Sequence, residues 1–377
     1  MENNKTDPVN RFLADAKSRA QTHDIDMLVF GNEAADLDSV VSAIGLAWVL
    51  GNGRKSCSAL PLIPIKRDDF RLKTESRWVL SQTGIDAENL FFQDDVLPLN
   101  TLMSRARALA LVDHNRLANG FSKHEKKVRL IMDHHEDLNL YPKALRRIEP
   151  VGSCATLVGQ DLINGSGGGS GGGTARGIPG NLAALLLGAI LIDTVNLDPK
   201  AGRATPRDHA VAKHLQPIAG LDTDGFYQGI RAAKSDIRDM DTRDLLRRDC
   251  KTFQFNKVTC TVASVPLALE QWMERDMGLA SGIETYAREM QADILMTMNT
   301  QRIPEFSRGI AVFCKSPVLF TTISAMLASN LDLEIIPPPQ GFNCGGVHFF
   351  RQGNLSLSRK KLEPMLSRYF SKCEHLH

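Results

Sequence analysis

The stretch Ile131-Met132-Asp133-His134-His135-Glu136 decides how the rest of the chain is interpreted. The aliphatic run from Val128 to Met132 predicts a buried strand, and two imidazoles follow directly at its end. Neutral imidazole is a common ligand of divalent metals, and adjacent histidines project in different directions. One histidine can therefore bind a metal while its neighbour faces a substrate. The triplet alone is a weak signal, so its partners must come from elsewhere in the chain.

Acidic side chains that follow other aliphatic segments supply those partners. Asp36 and Asp38 follow one such segment, Asp113 a second and Asp193 a third. Aspartate in a turn is often only a helix cap, which is the alternative for the first pair. The other two stand at the edge of a predicted core, where a carboxylate is rare unless it is paired or metal-bound. Together with His134 these carboxylates predict a two-metal site, and hard oxygen ligands favour Mg²⁺, Mn²⁺ or Co²⁺ over zinc.

Two further features near these residues predict supporting roles. Beside such a metal site, His135 is expected to donate to a phosphate oxygen. Asp133 is expected to orient an imidazole or the loop without binding the metal itself. Gly152 and Ser153 precede a predicted helix, where serine is a good N-cap and the free amides can hold an anion.

Composition limits the class of protein. The chain has 377 residues, enough for two domains, and its 43% hydrophobic and 23% charged residues are ordinary for a globular protein. A net charge of +2 predicts no polyanion partner from bulk charge, although it leaves room for a local basic patch. Because no basic stripe with interleaved aromatics occurs, we expect no nucleic-acid partner. The seven cysteines are odd in number and never spaced as Cys-x-x-Cys, which favours a reducing compartment. The N-terminal residues lack the apolar core of a signal peptide and no apolar run is long enough to cross a bilayer, so we expect a cytoplasmic protein without a membrane partner. We also expect a monomer.

Strands and helices alternate along the first half of the chain, which predicts an α/β fold with a doubly wound parallel sheet. Ligands of such sheets gather outside the carboxyl ends of the strands. The polar stretch 198–224 predicts a domain boundary. We therefore expect a metal-binding catalytic domain over residues 1–215, a linker over 216–224, and a smaller α/β domain with a mixed sheet over 225–377. The glycine-serine run 165–174 is expected to be a loop tether, natural or engineered.

The C-terminal region is basic. Arg351, Arg359, Lys360 and Lys361 lie within eleven positions, with no acid among them. Such a run is usually a solvated face. Because glycines and His348 lie nearby, the alternative is a set of donors that closes on an anionic substrate.

At this point the residues resemble the DHH phosphoesterase superfamily with a DHHA2 C-terminal domain. That group contains family II inorganic pyrophosphatases, cytosolic exopolyphosphatases and prune proteins. The resemblance covers nearly the whole chain and rests on six motifs in order: Asn32-x-x-x-Asp36-x-Asp38-Ser39, Asp113-His114-Asn115, Asp133-His134-His135, Gly152-Ser153-x-x-Thr156, Asp193-Thr194-x-Asn196 and Ser358-Arg359-Lys360. Together they are far more specific than any one of them.

The resemblance implies a role for each motif residue. It implies that two metals are held by five residues, Asp36, Asp38, Asp113, His134 and Asp193. Together with His135, Asp113 and Asp193 are also expected to be catalytic. The residues we expect to contact substrate are Asn32, His135, Lys251, His348, Arg351, Ser358, Arg359 and Lys360. Family II pyrophosphatases have a metal-binding histidine where this chain has Asn32. The cytosolic exopolyphosphatases look similar here, and an amide in place of a nitrogen ligand makes Mg²⁺ the natural choice.

The predicted function is a metal-dependent exopolyphosphatase that removes terminal orthophosphate from inorganic polyphosphate. Three alternatives stay open: an inorganic pyrophosphatase, which Asn32 disfavours, a prune-like hydrolase of short polyphosphates or nucleotide phosphodiesters, and a non-catalytic interaction module. The last predicts loss of ligands, whereas all five candidates are present.

Overall fold

The computed structural model of the chain describes residues 7–22, 25–53, 57–166, 177–301 and 305–371. These residues form two compact units, divided between Asp236 and Ile237. The predicted tether over residues 165–174 lies outside the described residues from position 167 onward. Within the described part of the chain the cysteines form no disulfide.

A six-stranded sheet forms the centre of the first unit. Its strands are all parallel, in the order β3-β2-β1-β4-β5-β6. They are β1 (Met27–Phe30), β2 (Ala59–Ile63), β3 (Phe91–Phe92), β4 (Ala108–Val112), β5 (Val128–Asp133) and β6 (Leu145–Ile148). The central strands are continuous apolar runs because helices cover both faces of the sheet. The strand order reverses between β1 and β4, so the connections from these two strands leave toward opposite faces and open a crevice at their carboxyl ends.

The described part of the first unit contains eight α-helices. They are α1 (Pro8–Thr22), α2 (Leu37–Asn52), α3 (Thr74–Gln82), α4 (Leu99–Arg105), α5 (Cys154–Ser166), α6 (Gly180–Asp193), α7 (Pro206–Ala219) and α8 (Thr223–Ser235), with short 3₁₀ turns at Arg67–Leu72, Ala87–Asn89, Asn119–Lys127 and Pro199–Ala201. Every residue from Leu182 to Leu191 in α6 is buried. Each such leucine contributes about 1.5–3 kcal/mol of hydrophobic stabilisation. None of the described helices is both long enough and apolar enough to cross a bilayer.

The division between the units falls after α8, later than the predicted linker at 216–224. A Cβ on Gly229 of α8 would lie 2.2 Å from the Trp78 ring of α3, so the two helices meet there with no room for a side chain. The Phe226 ring contacts the same Trp78 ring at 5.4 Å between centroids, with the two planes tilted by 38°. Residues 225–236, which we expected in the second domain, therefore pack with the first unit. The polar composition that suggested a linker belongs to the solvent faces of α7 and α8.

The second unit is built on a mixed sheet, as predicted. Its strand order is β11-β12-β10-β9-β8-β7, in which only the β8–β9 pair is parallel. The strands are β7 (Cys250–Phe255), β8 (Val258–Val265), β9 (Ile294–Gln301), β10 (Ser307–Cys314), β11 (Leu333–Ile335) and β12 (Val347–Gln352). The helices are α9 (Thr242–Arg248), α10 (Leu269–Arg275), α11 (Leu279–Glu289), α12 (Pro317–Leu331) and α13 (Arg359–Phe370). The α/β class and both sheet types are thus confirmed.

Candidate metal and active site

The loop between β1 and α2 carries the first two candidate ligands. Asp36 is the N-cap of α2, and its carboxylate accepts a hydrogen bond from the backbone N–H of Ser39 at 3.1 Å. The residue before it, Ala35, has a φ of 44°, a left-handed conformation that is uncommon for alanine. The helix-cap alternative is therefore realised for Asp36. Asp36 can cap the helix and still act as a metal ligand, because only its Oδ1 accepts the hydrogen bond from Ser39.

Asp38 lies in the first turn of α2 and is buried. Its carboxylate accepts hydrogen bonds from the Ser153 hydroxyl at 2.8 Å, from the Cys154 N–H at 2.7 Å and from the Ala155 N–H at 2.8 Å. We expected Ser153 to cap α5 and the free amides to hold an external anion. Those amides instead bind Asp38, whose negative charge is stabilised by the positive end of the helix dipole.

Asp113 follows β4 and adopts a φ of 61°. A left-handed conformation costs a residue with a side chain about 1–2 kcal/mol, and such strain is typical of functional sites. Its Oδ2 accepts hydrogen bonds from Asn32 Nδ2 and from the Ser39 hydroxyl, both at 2.7 Å. The amide oxygen of Asn32 accepts from the Ala34 N–H. Asn32 was predicted to contact substrate, and in the structure its side chain holds Asp113.

The triplet after β5 positions two imidazoles through its first residue. Asp133 is fully buried, and its Oδ1 accepts from His135 Nδ1 at 2.8 Å and from the His134 N–H at 2.7 Å. The Nδ1 of His134 lies 3.0 Å from the carbonyl oxygen of Val151. Because a carbonyl can only accept, Nδ1 of His134 must carry a proton, and in the neutral imidazole Nε2 has a lone pair for a metal. Burial would raise the pKa of Asp133, but the hydrogen bonds from His135 and Asn115 lower it.

Three of the predicted ligands converge within contact distance. His134 Nε2 lies 3.3 Å from Asp113 Oδ1 and 3.8 Å from Asp38 Oδ2. Asp113, His134 and His135 each offer one ligand atom within 4.8 Å of the others. The Nδ1 of His135, at 3.8 Å from Asp113 Oδ1, donates to Asp133, so Nε2 of this half-exposed side chain is the atom left to meet a substrate.

The electrostatics of the cluster fit a group of cation ligands. Burial, together with the charges of Asp36 and Asp38, raises the pKa of Asp113 to about 7, against the lowering effect of His134. Desolvation likewise raises the pKa of Asp193, at the end of α6, well above its ordinary value, with Asp38 and Asp36 adding to the effect. Burial would lower the pKa of His134, but Asp113 and Asp38 raise it to about 10. Carboxylates crowded in this way repel one another unless positive charge lies between them. Oxygen donors with one nitrogen suit divalent cations such as Mg²⁺ or Mn²⁺.

The basic residues predicted to bind substrate lie in the second unit, and not all of them lie together. Arg359, at the start of α13, donates to the carbonyl oxygen of Asp249 at 2.8 Å and to its carboxylate at 2.6 Å. Ser358 is the N-cap of α13, Lys251 lies on β7, and the side chain of Lys360 lies outside the described part of the chain. Arg351 pairs with two glutamates, and His348 stacks on Phe320 at 3.7 Å between centroids.

Comparison with known proteins also divides the chain into two parts. The chain is 31% identical over 356 residues to human "Exopolyphosphatase PRUNE1", a match that covers 91% of this chain and 75% of that protein. The family model described as "DHH family, N-terminal domain" matches residues 26–190, and the "DHHA2 domain" model matches residues 228–369. The chain belongs to the DHH family. This membership confirms the predicted family and the prediction of a hydrolase.

Two further proteins show how far the likeness of this DHH-family chain extends. It is 29% identical over 355 residues to the Schizosaccharomyces pombe "Putative exopolyphosphatase", covering 90% of this chain and 89% of that protein. The crystal structure described as "Methanococcus jannaschii putative family II inorganic pyrophosphatase" matches with a TM-score of 0.62 at 23% identity, over 92% of this chain and 99% of that one. The structural match supports the fold.

Two residues that hold the DHH-family site in place have little local signal in the sequence. Asp208 of α7 is fully buried and accepts a hydrogen bond from the Gly152 N–H at 2.9 Å, which fixes the loop before α5. Its only local sign is a capping box with Thr205. Asn115, which we left unassigned, donates to Asp133 Oδ2 at 2.6 Å. Its position beside the Asp113-His114 pair is the only hint.

Proposed function

We propose that this chain is a metal-dependent exopolyphosphatase that removes terminal orthophosphate from inorganic polyphosphate. The observation that carries the proposal is the convergence of Asp38, Asp113 and His134 at the carboxyl ends of β1, β4 and β5. It is supported by curated relatives that are named exopolyphosphatases and align along most of the chain.

In this proposal Asp36, Asp38, Asp113, His134 and Asp193 hold two divalent cations. Such cations, when bound, lower the pKa of water and neutralise a phosphoryl group. The hydrogen bonds on Asp38 and Asp113 fix their carboxylates, so little reorganisation is needed when charge develops on the substrate.

His135 is proposed to contact the phosphoryl group being transferred. Its Nδ1 is held by Asp133, so the ring is oriented with Nε2 outward and its side chain is 43% exposed. In its imidazolium form, a ring fixed in this way donates through Nε2 and can stabilise the negative charge that develops as the leaving phosphate departs. Lys251, Ser358, Arg359 and Lys360 are proposed to bind phosphates of the substrate, since guanidinium and ammonium groups suit phosphate oxygens.

The side chain of Asn32 favours an exopolyphosphatase over an inorganic pyrophosphatase. Its amide nitrogen donates to Asp113 and its amide oxygen accepts from Ala34, so the side chain supports a ligand. A histidine at this place would offer a ring nitrogen with a lone pair instead. We therefore propose Mg²⁺ as the working cation, with Mn²⁺ or Co²⁺ able to replace it. A monomer in the cytoplasm, without nucleic-acid or membrane partners, remains part of the proposal, and light scattering of the purified chain measures the oligomeric state.

The test is phosphate release from pyrophosphate, tripolyphosphate, long-chain polyphosphate and a cyclic nucleotide, each with Mg²⁺, with Mn²⁺ or with EDTA. We expect release from the two polyphosphates in the presence of either metal and none with EDTA. A preference for pyrophosphate over every longer chain contradicts the proposal.

The matched variant is Asp113→Asn. Asparagine tolerates the left-handed conformation, and its oxygen can still accept from Asn32 and Ser39. The variant should fold with a melting temperature close to that of the wild type and release no phosphate. Near-normal turnover by the folded variant removes Asp113 from the catalytic site.

A further inference from the structure

A buried carboxylate that takes no part in the proposed chemistry lies on α7. Asp208 is 0% exposed, and its side chain accepts hydrogen bonds from the backbone N–H of Gly152 at 2.9 Å and from that of Thr205 at 2.7 Å. The hydroxyls of Thr156 and Thr205 also donate to it. Burial of a carboxylate is unfavourable unless donors compensate it. These contacts therefore hold Asp208 and the segments that donate to it in one arrangement.

Capping of α7 accounts for only part of these contacts. In a capping box the acidic side chain at the third helical position accepts from the backbone N–H of the N-cap residue, here Thr205. Asp208 also accepts from Gly152 and Thr156, which lie 56 and 52 residues earlier in the chain. A helix cap needs neither of these donors. The carboxylate thus ties α7 to the start of α5 and to the segment before it.

The segment that Asp208 holds, residues 151–155, contacts two of the candidate metal ligands directly. The carbonyl oxygen of Val151 accepts from His134 Nδ1 at 3.0 Å, which orients the imidazole. The backbone N–H groups at the start of α5 donate to Asp38 at 2.7 and 2.8 Å. A shift of this segment therefore moves an imidazole and a carboxylate of the site together.

The same segment also packs against the residue that follows a third candidate ligand. A Cβ on Gly152 would lie 2.4 Å from Thr194 Cγ2 and 3.0 Å from the carbonyl oxygen of Arg203. Thr194 follows Asp193 directly. Because Asp208 binds Gly152 from another side, little room is left for the segment to move. It is fixed between α7 and the end of α6.

We propose that Asp208 is a positioning residue that sets the affinity of the candidate site for divalent cations. This inference rests on the metal-dependent activity proposed above. Each hydrogen bond that Asp208 accepts in the described part of the chain comes from Gly152, Thr156 or Thr205, so it acts on the ligands through the 151–155 segment. Ligands that are not held in place lose freedom when a cation binds, which lowers the affinity.

The experiment measures the Kd of the full chain without substrate, for Mg²⁺ by isothermal titration calorimetry and for Mn²⁺ from the electron paramagnetic resonance signal of the free ion. Asp208→Ala removes the acceptor of Gly152, so it should raise both Kd values roughly 10–100-fold. Because the ligands themselves are intact, phosphate release by this variant should recover as the Mg²⁺ concentration is raised. A folded Asp208→Ala protein with the Kd of the wild type overturns the inference.

Asp208→Asn separates the hydrogen bond from the charge. Asparagine keeps an oxygen that can accept from Gly152 and Thr205, although a neutral acceptor binds about half as strongly as a charged one. We therefore expect its Kd for Mg²⁺ to stay within about threefold of the wild type. If Asp208→Asn loses as much affinity as Asp208→Ala, the loss follows the charge, and the positioning role is wrong.

The matched control is Asn10→Ala, because Asn10 is also buried and its hydrogen bonds go to Gly84 and Asp86 instead of the 151–155 segment. It should lower the melting temperature and leave both Kd values unchanged. A control that loses as much affinity as Asp208→Ala shows that the loss follows stability, and the inference fails. If Asp208→Ala does not fold, Gly152→Ala decides, since its Cβ forces the same segment to shift. An unchanged Kd in that folded variant then overturns the inference.

The two proposals fail in different ways. If the wild-type chain binds cations but releases no phosphate from any polyphosphate, the proposed function is wrong, and the Kd values still decide the role of Asp208. If it hydrolyses polyphosphate and folded Asp208→Ala binds cations as the wild type does, the function stands and the role of Asp208 is rejected. A wild-type chain that binds neither cation contradicts both proposals.

Discussion

Replacing Asn115 with alanine tests how the structure orients the imidazole of His135. Asn115 is 4% exposed, and its amide nitrogen donates to Asp133 Oδ2 at 2.6 Å and to the Glu136 carbonyl oxygen at 3.0 Å. Its oxygen accepts from the Leu138 N–H at 3.2 Å. Asp133 in turn holds His135 Nδ1 at 2.8 Å. Asn115 therefore positions the substrate-facing histidine through the buried carboxylate of Asp133.

The expected loss of stability follows from these three hydrogen bonds. The bond to the ionised Asp133 contributes about 1.5–3 kcal/mol and each of the other two about 0.5–1.5 kcal/mol. Because such terms are not additive, we expect the free energy of unfolding to fall by about 3 kcal/mol. For a unit of this size that lowers the melting temperature by roughly 6–12 °C. Loss of a partner behind a catalytic group reduces activity by roughly 10–100-fold.

Asn10→Ala is the matched control. Asn10 of α1 is also buried, at 2% exposed, and bridges two segments by donating to the Gly84 carbonyl oxygen and accepting from the Asp86 N–H, both at 2.8 Å. Circular dichroism melts and initial rates of phosphate release, measured well below both midpoints, separate the two effects. We expect both variants to lose stability and only Asn115→Ala to lose kcat. If its kcat equals that of the control, Asn115 does not position His135 and the reasoning is refuted.

Three further predictions concern acid stability, packing and metal. Burial would raise the pKa of Asp95, but the hydrogen bonds from Arg67 hold it below its ordinary value, so this carboxylate stabilises the fold above about pH 4 and loses its effect as the pH falls through the lowered pKa. Asp95→Asn should therefore lower the melting temperature at pH 7 and flatten its decline on acidification, and parallel curves from pH 7 to pH 3 contradict this. Gly152→Ala should cost about 1–3 kcal/mol and reduce phosphate release, because the new Cβ would lie 2.4 Å from Thr194 Cγ2, whereas Gly177→Ala, with nothing within 4 Å, should melt like the wild type. Mg²⁺ at a hundred times its Kd should raise the free energy of unfolding by about 2.7 kcal/mol, and a melt that EDTA leaves unchanged argues against a bound cation.

The first sheet could be predicted because its strands are short aliphatic runs followed by polar turns. Met27–Phe30 and Ala108–Val112 are apolar throughout, which is typical of strands covered on both faces. The strand Val347–Gln352 was not predicted, because the polar His348 and Arg351 interrupt its apolar residues and glycines flank it. The polar stretch near residue 220 suggested a linker, and composition could not reveal that Gly229 lies against Trp78.

The candidate site was also predictable only in part from the sequence. Asp113 and His134 could be named from their places after strands, and the parallel sheet brings them to 3.3 Å. The supporting contacts could not be predicted, because Asp38 binds the start of α5 across more than a hundred residues and Asp208 binds Gly152 from 56 residues away. Hydrogen bonds between such distant segments leave no periodic pattern in the chain.

The sequence by itself determined which chemical groups are available: carboxylates and imidazoles after aliphatic segments in one half, and arginines and lysines near the end of the other. Its hydrophobic periodicity also determined the class of fold, because burial of apolar faces depends mainly on local pattern. Only the tertiary structure decided which groups are ligands and which are supports, since that depends on distances between residues far apart in sequence. The register that places Gly309 of β10 opposite Arg351 of β12 could be read from neither segment alone.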